Sequence, residues 1–156
     1  MAIKTGSTVI IEGNTSGEIL HFDAPISFWG GINVETSRVV QAGHPQIGEA
    51  IANKILVIPN LIGSSSSSAI ILELIYSGLA PKAMILGTHD AIIPIGTIAA
   101  RQMGWGSIPI LTLKTQILRL EIGSRFIQTE RLKAKTSNQT ICLNRIFFCY
   151  LKKINI

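Results

Sequence analysis

The stretch of sequence that decides the fold runs from Lys54 to Gly78 and reads KILVIPNLIGSSSSSAIILELIYSG. Its first part, 54–59, is short, β-branched and apolar throughout, which is typical of a strand buried on both faces. The part after the serines, 69–78, combines helix-forming residues, apolar spacing and a final glycine suited to a C-cap. The sequence therefore predicts a central strand, a serine loop and a helix in that order.

The same alternation of strand and helix continues downstream. Apolar runs predict strands over 83–87 and 108–113, and helical spacing predicts a helix over 93–103 between them. Residues 118–128 are predicted to supply a last helical turn and an edge strand. Two strand-helix-strand crossovers imply a parallel core, because parallel neighbours need long connections. The predicted fold class is therefore α/β with a partly parallel sheet core.

The residues upstream of this segment read mainly as β structure. Two short strands are predicted within 7–23, on either side of the turn-forming residues 13–17, which indicates a hairpin-like opening. A further strand is predicted over 38–41. We therefore expect β structure to dominate the first third of the chain.

Length and composition favour one folded domain. The chain has 156 residues, of which 47% are hydrophobic and 15% charged, and its mean hydropathy of +0.41 argues against intrinsic disorder. The sequence contains no stretch of about 18 uncharged apolar residues, the length that a spanning helix needs. The start at Met1 also lacks the pattern of a secretory signal. We therefore expect no membrane partner and a cytoplasmic location.

The net charge of +5 is distributed unevenly along the chain. Residues 1–130 carry eight basic and nine acidic side chains, whereas residues 131–156 carry six basic side chains and no acidic one. The body therefore lacks the cluster of basic and aromatic residues that binds nucleic acid, and we expect no nucleic-acid partner. We place the domain edge at residue 130 and predict that 131–156 is a basic, poorly packed C-terminal extension. A basic anchor for a membrane or a partner is the alternative for this extension.

The serine loop is the first candidate for chemistry. A helix N-terminus presents unsatisfied N–H groups and the positive end of the helix dipole, which together bind carboxylates or phosphates. Gly63 allows close approach of the backbone, and a serine that follows it can act as a nucleophile or a base. Alternatively, one serine is simply the N-cap and the others are small polar residues of a turn. From the residues alone, both interpretations stay open.

Two catalytic motifs are excluded by spacing. A phosphate-binding P-loop needs a second glycine followed by lysine, and the serine run provides neither. A hydrolase triad of Ser64, His89 and Asp90 lacks the GxSxG elbow, and adjacent His and Asp side chains usually point apart. Nucleotide binding through a P-loop and triad hydrolysis are therefore not expected.

Isolated histidines and cysteines do not form a metal site by spacing. His21 and His44 have no carboxylate or thiol at ligand spacing, so they are predicted to be hydrogen-bonded structural residues. Cys142 and Cys149 lie seven residues apart, which fits neither a metal pair nor a disulfide framework. We therefore predict no metal held by this chain alone. The tryptophans are predicted to be packing residues, Trp29 and Trp105.

Several segments occur in a fixed order along residues 4–128. They are ISFWGGIN at 26–33, HPQIG at 44–48, ILVIP at 55–59 leading to the glycine and serines at 63–68, GLAPKA at 78–83, Asp90, and IGTIAA at 95–100. Together they resemble the aconitase X swivel domain, the small-subunit-like part of phosphomevalonate dehydratase and cis-3-hydroxy-L-proline dehydratase. Because several separate segments agree in order, the resemblance is specific.

The resemblance implies a fold, an activity and a partner. The fold is a swivelling β/β/α domain, here over 1–130, that closes over a larger partner subunit. The implied activity is that of a hydro-lyase subunit, which dehydrates a small hydroxy acid, phosphomevalonate or cis-3-hydroxy-L-proline, only together with that partner. The implied cofactor is an iron–sulfur cluster held by the large subunit, with the active site at the interface and no cofactor bound by this chain alone.

The resemblance also assigns roles within the serine loop. By position, Ser64 is similar to the catalytic base of the family, which removes a proton from the carbon next to the leaving hydroxyl. Gly63, Ser65 and Ser66 fall at the positions that contact the substrate. These assignments depend on the resemblance and not on the spacing of the serines.

One departure from the family pattern lies beside the serines. The family commonly has Gly-Arg-Gly-Ser, whereas this chain has Leu61-Ile62-Gly63-Ser64. An arginine in place of Ile62 would help to bind a carboxylate or would lower the pKa of the serine. The alternative function is therefore a non-catalytic anion-binding or docking module that has lost activity.

Overall fold

The computed structural model describes residues 7–113. Within this range the chain forms seven strands and two helices. In chain order they are β1 (Ser7–Ile11), β2 (Ile19–His21), β3 (Ile32–Asn33), β4 (Arg38–Val39), β5 (Ile55–Ile58), α1 (Ser67–Tyr76), β6 (Ala83–Leu86), α2 (Ile92–Gln102) and β7 (Ile110–Leu113).

Five of the strands form one sheet in the order β1-β7-β6-β5-β2. Strands β2, β5, β6 and β7 are parallel, and β1 pairs antiparallel with β7 at one edge. The helices connect β5 to β6 and β6 to β7, so both crossovers step in the same direction along the sheet. Right-handed crossovers of this kind place both helices on the same face. The predicted α/β class with a mostly parallel sheet is therefore confirmed.

Strands β5 and β6 form the interior of the sheet. All four residues of each strand are buried, and each strand has a hydrogen-bonded neighbour on both sides. Leu56 and Ile58 belong to the core cluster that also contains helical residues, whereas Ile55 and Val57 belong to a second buried cluster. Because successive side chains of a strand point to opposite faces, burial of both faces explains the uninterrupted apolar run in the sequence.

Both helices end in the same way. After α1, Gly78 has φ of +73°, its N–H donates to Ile75 O at 3.2 Å, and the N–H of Leu79 donates to Leu74 O at 2.9 Å. This is a Schellman motif, in which glycine adopts the left-handed conformation without strain. Gly104 ends α2 through an equivalent pair of bonds. In the described part of the chain, no helix is long and apolar enough to cross a membrane.

The predicted hairpin at the start of the chain is wrong. Strands β1 and β2 lie at opposite edges of the five-stranded sheet and do not pair with each other. The connecting strap, 12–18, runs past the amino ends of the parallel strands, where a Cβ at Gly13 would lie 2.5 Å from Pro109 Cγ and one at Gly17 would lie 3.1 Å from Lys82 Cδ. Seven residues span up to about 23 Å, and four strand spacings need only about 19 Å.

The glycines that suggested a hairpin turn have another role. Among the described residues, the glycines with positive φ include neither Gly13 nor Gly17. Instead, each lacks a side chain where the strap passes close to the end of a strand. The same residue type that allows a tight turn therefore allows a close crossing here.

β structure does not dominate the first third of the chain. Of the predicted strand over 38–41, β4 covers Arg38–Val39, which pairs with the short β3 and forms one isolated bridge, from Arg38 to Ala50. Most of the segment between β2 and β5 consists of turns and bends, and buried side chains such as Phe22, Ile26 and Phe28 anchor it to the core at irregular spacing. The alternation of apolar and polar residues in this part of the sequence therefore extends over too few positions to specify long strands.

Three sequence predictions lie outside the described residues. They are the last helical turn and edge strand over 118–128, the domain edge at residue 130 with its extension 131–156, and the prediction that Cys142 and Cys149 form neither a metal pair nor a disulfide framework.

Candidate active site

The serine loop lies at the carboxyl end of β5, and the loop after β6 lies beside it at the same edge of the sheet. Loops at the carboxyl ends of parallel strands form ligand sites in many α/β proteins. Here they enclose a small pocket of about 70 Å³, with contributions from Leu61, Ile62, Gly63, Ser64, Ser67, Asp90, Ile92 and Ile93. The starts of both helices therefore meet at one pocket.

Ser64 is an exposed residue of this pocket, three positions before α1 begins. Its Oγ accepts a hydrogen bond from the N–H of Ser66 at 3.1 Å and donates one to Ser66 Oγ at 3.2 Å. Ser66 occupies the N-cap position, and within the described chain it makes no side-chain capping bond. The hydroxyl that satisfies a backbone donor at the helix start is thus the hydroxyl of Ser64. The sequence left two interpretations of the serine loop open, a helix cap and a reactive serine. Ser64 fits both, because it bonds the helix start and lines the pocket.

The other serines divide between the pocket and its surroundings. Ser67 is 5% exposed, lines the pocket, and its Oγ accepts the N–H of Trp29 at 3.2 Å. Ser65 and Ser66 follow Ser64 without lining the pocket in the described structure. The structure thus places Gly63 and Ser64 of the predicted set in the pocket and adds Ser67, which sequence reasoning missed.

Gly63 fixes the direction of the serine loop. Its φ is +101°, a conformation that other residues adopt only with strain, and a Cβ at this position would collide with Ser27 Oγ. The Ser27 hydroxyl is held in place because it donates to Trp29 O at 2.8 Å. The glycine is therefore required by both the backbone conformation and the close approach.

The segment from Pro25 to Trp29 supports the serine loop from the side. Ile26 N–H donates to Asn60 O at 3.3 Å, and Ile62 N–H donates to Ile26 O at 3.0 Å. Gln41 holds this segment from behind, because its Oε1 accepts the N–H of Ser27 at 2.8 Å and its Nε2 donates to Pro25 O at 3.1 Å. The loop between β2 and β3 is thus tied to the pocket by backbone hydrogen bonds.

His44 is a structural residue, as predicted. It is 3% exposed, its Nδ1 accepts the N–H of Gln46 at 3.1 Å, and its Nε2 lies 3.2 Å from Ala24 O. A carbonyl oxygen can only accept, so Nε2 carries the proton and the ring is neutral in this arrangement. The ring edge also packs on Phe22, with centroids 5.2 Å apart. His21 lies near Asp23, with Nδ1 3.3 Å from Oδ1.

Trp29 is not a packing residue, contrary to the prediction. Its side chain is 56% exposed, although its backbone is fixed by Ser27 and Ser67 on either side. The anchored part is the main chain, and Trp29 lines a groove together with Val34 and Ile70. Trp105 contacts Tyr76, with ring centroids 4.6 Å apart, and is 38% exposed.

Asp90 is the pocket residue for which sequence reasoning assigned no role. It is half-buried, and its Oδ1 accepts the N–H of Ile93 at 2.8 Å, which caps α2 in place of Ala91 at the N-cap position. An acidic residue just before an apolar helical run is a helix-start signal, so the cap could have been predicted. His89 is exposed and does not line the pocket in the described structure, so Ser64, His89 and Asp90 do not form a triad there.

Between residues 7 and 113, no group of three or more His, Cys, Asp or Glu side chains is placed to hold a metal ion. An iron–sulfur cluster also needs thiolates in most proteins, and both cysteines of the chain lie beyond residue 113. The described pocket therefore does not fit such a cluster as a resident group.

The sequence pattern of the aconitase X swivel domain matches residues 4–131. The chain belongs to this family. Swivel-domain relatives include the cis-3-hydroxy-L-proline dehydratase of Hypocrea jecorina, which is 34% identical over 120 residues, 77% of this chain. The phosphomevalonate dehydratase small subunit of Thermococcus gammatolerans is 37% identical over 113 residues, 72% of this chain and 86% of the relative.

The two kinds of relative differ in size. This swivel domain spans only 20% of the length of the Hypocrea jecorina enzyme, but most of the length of the Thermococcus gammatolerans small subunit. In structure, the chain resembles the crystal structure of Thermococcus kodakaraensis aconitase X in its holo-form. The TM-score is 0.62 at 34% sequence identity, and the match covers 69% of this chain and 78% of the other. The comparison confirms the swivel-domain fold.

Proposed function

We propose that this chain is the small, swivel subunit of an aconitase X-type hydro-lyase, which dehydrates a small hydroxy acid together with an iron–sulfur large subunit. The two candidate substrates are phosphomevalonate and cis-3-hydroxy-L-proline, the compounds in the names of the relatives. The observation that carries the proposal is the exposed hydroxyl of Ser64 in a pocket at the start of α1.

Ser64 acts as the catalytic base in this proposal. In its alkoxide form, Ser64 removes a proton from the carbon next to the one that loses the hydroxyl, and it becomes a neutral hydroxyl in that step. The N–H of Ser66, 3.1 Å from Ser64 Oγ, stabilises the negative charge on that oxygen, and the dipole of α1 acts in the same direction. In this proposal Gly63, Ser65 and Ser66 also contact substrate oxygens; Gly63 lines the pocket of this chain, and Ser65 and Ser66 lie just outside it and take part when the large subunit completes the site.

The pocket of this chain forms only part of the active site. Its volume of about 70 Å³ is well below the roughly 300–1,000 Å³ of a complete small-molecule site. We infer that the large subunit supplies the remaining walls and closes over the serine loop. When bound in that subunit, the iron–sulfur cluster supplies a Lewis acid for the departing hydroxyl.

A non-catalytic module is the second candidate function. The observation that favours it is Ile62, 51% exposed at the rim of the pocket, where the family commonly has arginine. In that case the chain docks on the large subunit or holds a small anion without turnover. The variant Ile62→Arg separates the two candidates, because it raises turnover in a weakened enzyme and leaves an inactive module inactive.

The direct test is Ser64→Ala, assayed in a complex reconstituted with the large subunit. We expect activity to fall by about 10²-fold or more, the usual contribution of a positioned base. Loss of the hydroxyl that bonds the Ser66 N–H lowers the free energy of unfolding by about 1 kcal/mol, so circular dichroism verifies that the variant is folded.

The matched control is Ser77→Ala at the other end of α1. The Ser77 hydroxyl donates to Glu73 O at 2.9 Å and lies away from the pocket. Its removal changes the helix end without changing the proposed base, so we expect activity close to that of the wild type. Full activity of Ser64→Ala would refute the assignment of the base.

A further inference from the structure

We infer that Gln41 is a positioning residue for Ser64, because its side-chain amide fixes the backbone segment that holds the serine loop in place. The inference rests on the proposed function, since it concerns the orientation of the proposed base. It deepens that proposal by adding a residue that does not line the pocket in the described structure.

The side chain of Gln41 forms two hydrogen bonds to one short backbone segment. Its Oε1 accepts the N–H of Ser27 at 2.8 Å, and its Nε2 donates to Pro25 O at 3.1 Å. A carbonyl oxygen can only accept and a backbone N–H can only donate, so the two partners determine the orientation of the amide. Gln41 therefore binds this segment on both sides of Ile26.

Ile26, between these two bonds, connects the segment to the serine loop. Its N–H donates to Asn60 O at 3.3 Å, its carbonyl oxygen accepts the N–H of Ile62 at 3.0 Å, and it forms a parallel bridge with Leu61. The side chain of Ile26 is fully buried in the core. A shift of the segment that Gln41 binds would therefore shift the loop residues just before Ser64.

A second contact leads from Gln41 to Ser64 through Ser27. The Ser27 hydroxyl lies where a Cβ of Gly63 would be, and Gly63 immediately precedes Ser64. The N–H of the same Ser27 is bonded by Gln41. The rate of a proton transfer depends steeply on the position of the base, and a displacement of about 1 Å can cost about 10²-fold. Two short paths of contact therefore connect Gln41 to the atom whose position matters most.

Gln41 is itself held firmly enough to position other groups. Its backbone N–H donates to Gly31 O at 3.2 Å, and the N–H of Val40 donates to the same oxygen at 2.8 Å. A Cβ at Gly31 would lie 3.0 Å from Gln41 Oε1, so the chain packs closely around the amide. A side chain that is fixed by its own surroundings can fix its partners in turn.

A second glutamine nearby offers a matched comparison. Gln46 is half-buried like Gln41 and also forms two side-chain hydrogen bonds, in which its Oε1 accepts the N–H of Asp23 at 3.1 Å and its Nε2 donates to Asp23 Oδ2 at 2.6 Å. Asp23 lies three positions before Ile26 and follows Phe22, whose N–H bonds to Val57 O on β5. Gln46 therefore makes the same number of bonds to a residue that does not lead to Ser64.

The experiment compares Gln41→Met with Gln46→Met in complexes reconstituted with the large subunit, with phosphomevalonate and cis-3-hydroxy-L-proline as substrates. Methionine has a similar length and volume but cannot replace either hydrogen bond. We expect kcat of Gln41→Met to fall by about tenfold or more because the base is misplaced, while KM changes by less than about threefold. We expect kcat of Gln46→Met to stay close to that of the wild type.

This comparison separates positioning from a structural role. Each variant loses two hydrogen bonds of the same region, so a structural role alone would affect the two complexes alike. Equal kcat values of the two variants would overturn the inference.

Amide hydrogen exchange provides a readout that does not depend on turnover. The N–H of Ile62 reports whether the serine loop is still held by Ile26, and nuclear magnetic resonance of the full chain measures its exchange rate. We expect exchange about tenfold faster in Gln41→Met than in the wild type, and unchanged in Gln46→Met. Equal rates in the two variants would contradict the role of Gln41. If the wild-type complex turns over neither compound, the proposed function fails, and the exchange rates alone decide whether Gln41 holds the loop.

Discussion

At the scale of single residues, the geometry of the pocket depends most on Gly63. Two independent requirements meet there, a φ of +101° and the approach of Ser27 Oγ to the place of a side chain. A glycine that satisfies only one of these tolerates alanine better than a glycine that satisfies both. The position therefore offers a sharp test of how the loop is built.

We expect Gly63→Ala to destabilise the protein by more than the roughly 1 kcal/mol of an ordinary left-handed glycine. The added methyl both strains the backbone and displaces Ser27, which shifts Ser64 and lowers the activity of the reconstituted complex. The free energy of unfolding from urea denaturation measures the first effect. Gly78→Ala is the matched control, since Gly78 has φ of +73° with open space around it. Equal losses in the two variants would contradict the role given to Ser27.

The sequence was informative about residues that are close together along the chain. Gly63 and the serine loop stand out because a strand, a glycine and a helix start follow one another within a few positions, whereas the choice of Ser64 among the serines came from the resemblance to the family. Ser67 was not assigned a role because its place in the pocket depends on a distant contact. The capping bond of Asp90 is local, but its place beside Ser67 depends on the arrangement of two neighbouring strands. The bond from Trp29 N–H to Ser67 Oγ joins residues 38 positions apart, and the loop of Asp90 follows a different strand.

At the scale of secondary-structure elements, the packing of α1 against α2 depends on Gly96. A Cβ at this position would collide with Ser68 O and would lie 2.5 Å from Ile71 Cγ2, so the two helices approach closely only because there is no side chain. In an isolated helix, alanine is favoured over glycine by about 1 kcal/mol. Tertiary packing and helix propensity therefore act in opposite directions here.

We expect Gly96→Ala to lower the free energy of unfolding by about 1–3 kcal/mol, because overpacking outweighs the gain in helix propensity. Chemical denaturation followed by circular dichroism measures the change. The control Ile95→Ala alters the neighbouring residue, which is 60% exposed, and should change stability little. A Gly96→Ala variant that is more stable than the wild type would contradict this, because it would mean that α1 and α2 can move apart without a loss of packing energy.

Element prediction succeeded where several local signals agreed. For α1, apolar spacing, helix formers and a terminal glycine agreed, and the Schellman motif at Gly78 confirms the role of that glycine. For α2, helical spacing alone predicted 93–103, and the helix runs from Ile92 to Gln102. It failed for β1 and β2, because two short strands and glycines are equally compatible with a hairpin and with a crossing strap. The pairing partners lie about a hundred residues away for β1, and no local pattern identifies them.

At the scale of the whole molecule, the domain edge at residue 130 remains a prediction. We expect a chain that ends at residue 130 to unfold cooperatively and to restore activity with the large subunit, because the basic extension lies outside the proposed domain. Calorimetry and the reconstitution assay measure the two properties. A chain that ends before β7 is the control, since loss of an interior strand should abolish folding. Failure of the 1–130 chain to fold would assign the extension to the domain.

The strap between β1 and β2 offers a labelling position for experiments that follow the proposed closing of this domain over the large subunit. It runs past the amino ends of the parallel strands, whereas the serine pocket lies at their carboxyl ends, so the two are separated by the length of the sheet. Asn14 is exposed on this strap, and residues 7–113 contain no cysteine. After replacement of Cys142 and Cys149, a fluorophore can be attached to Asn14→Cys. Energy transfer from this fluorophore to a dye on the large subunit would report rotation of the domain, and the label would lie far from the serine pocket.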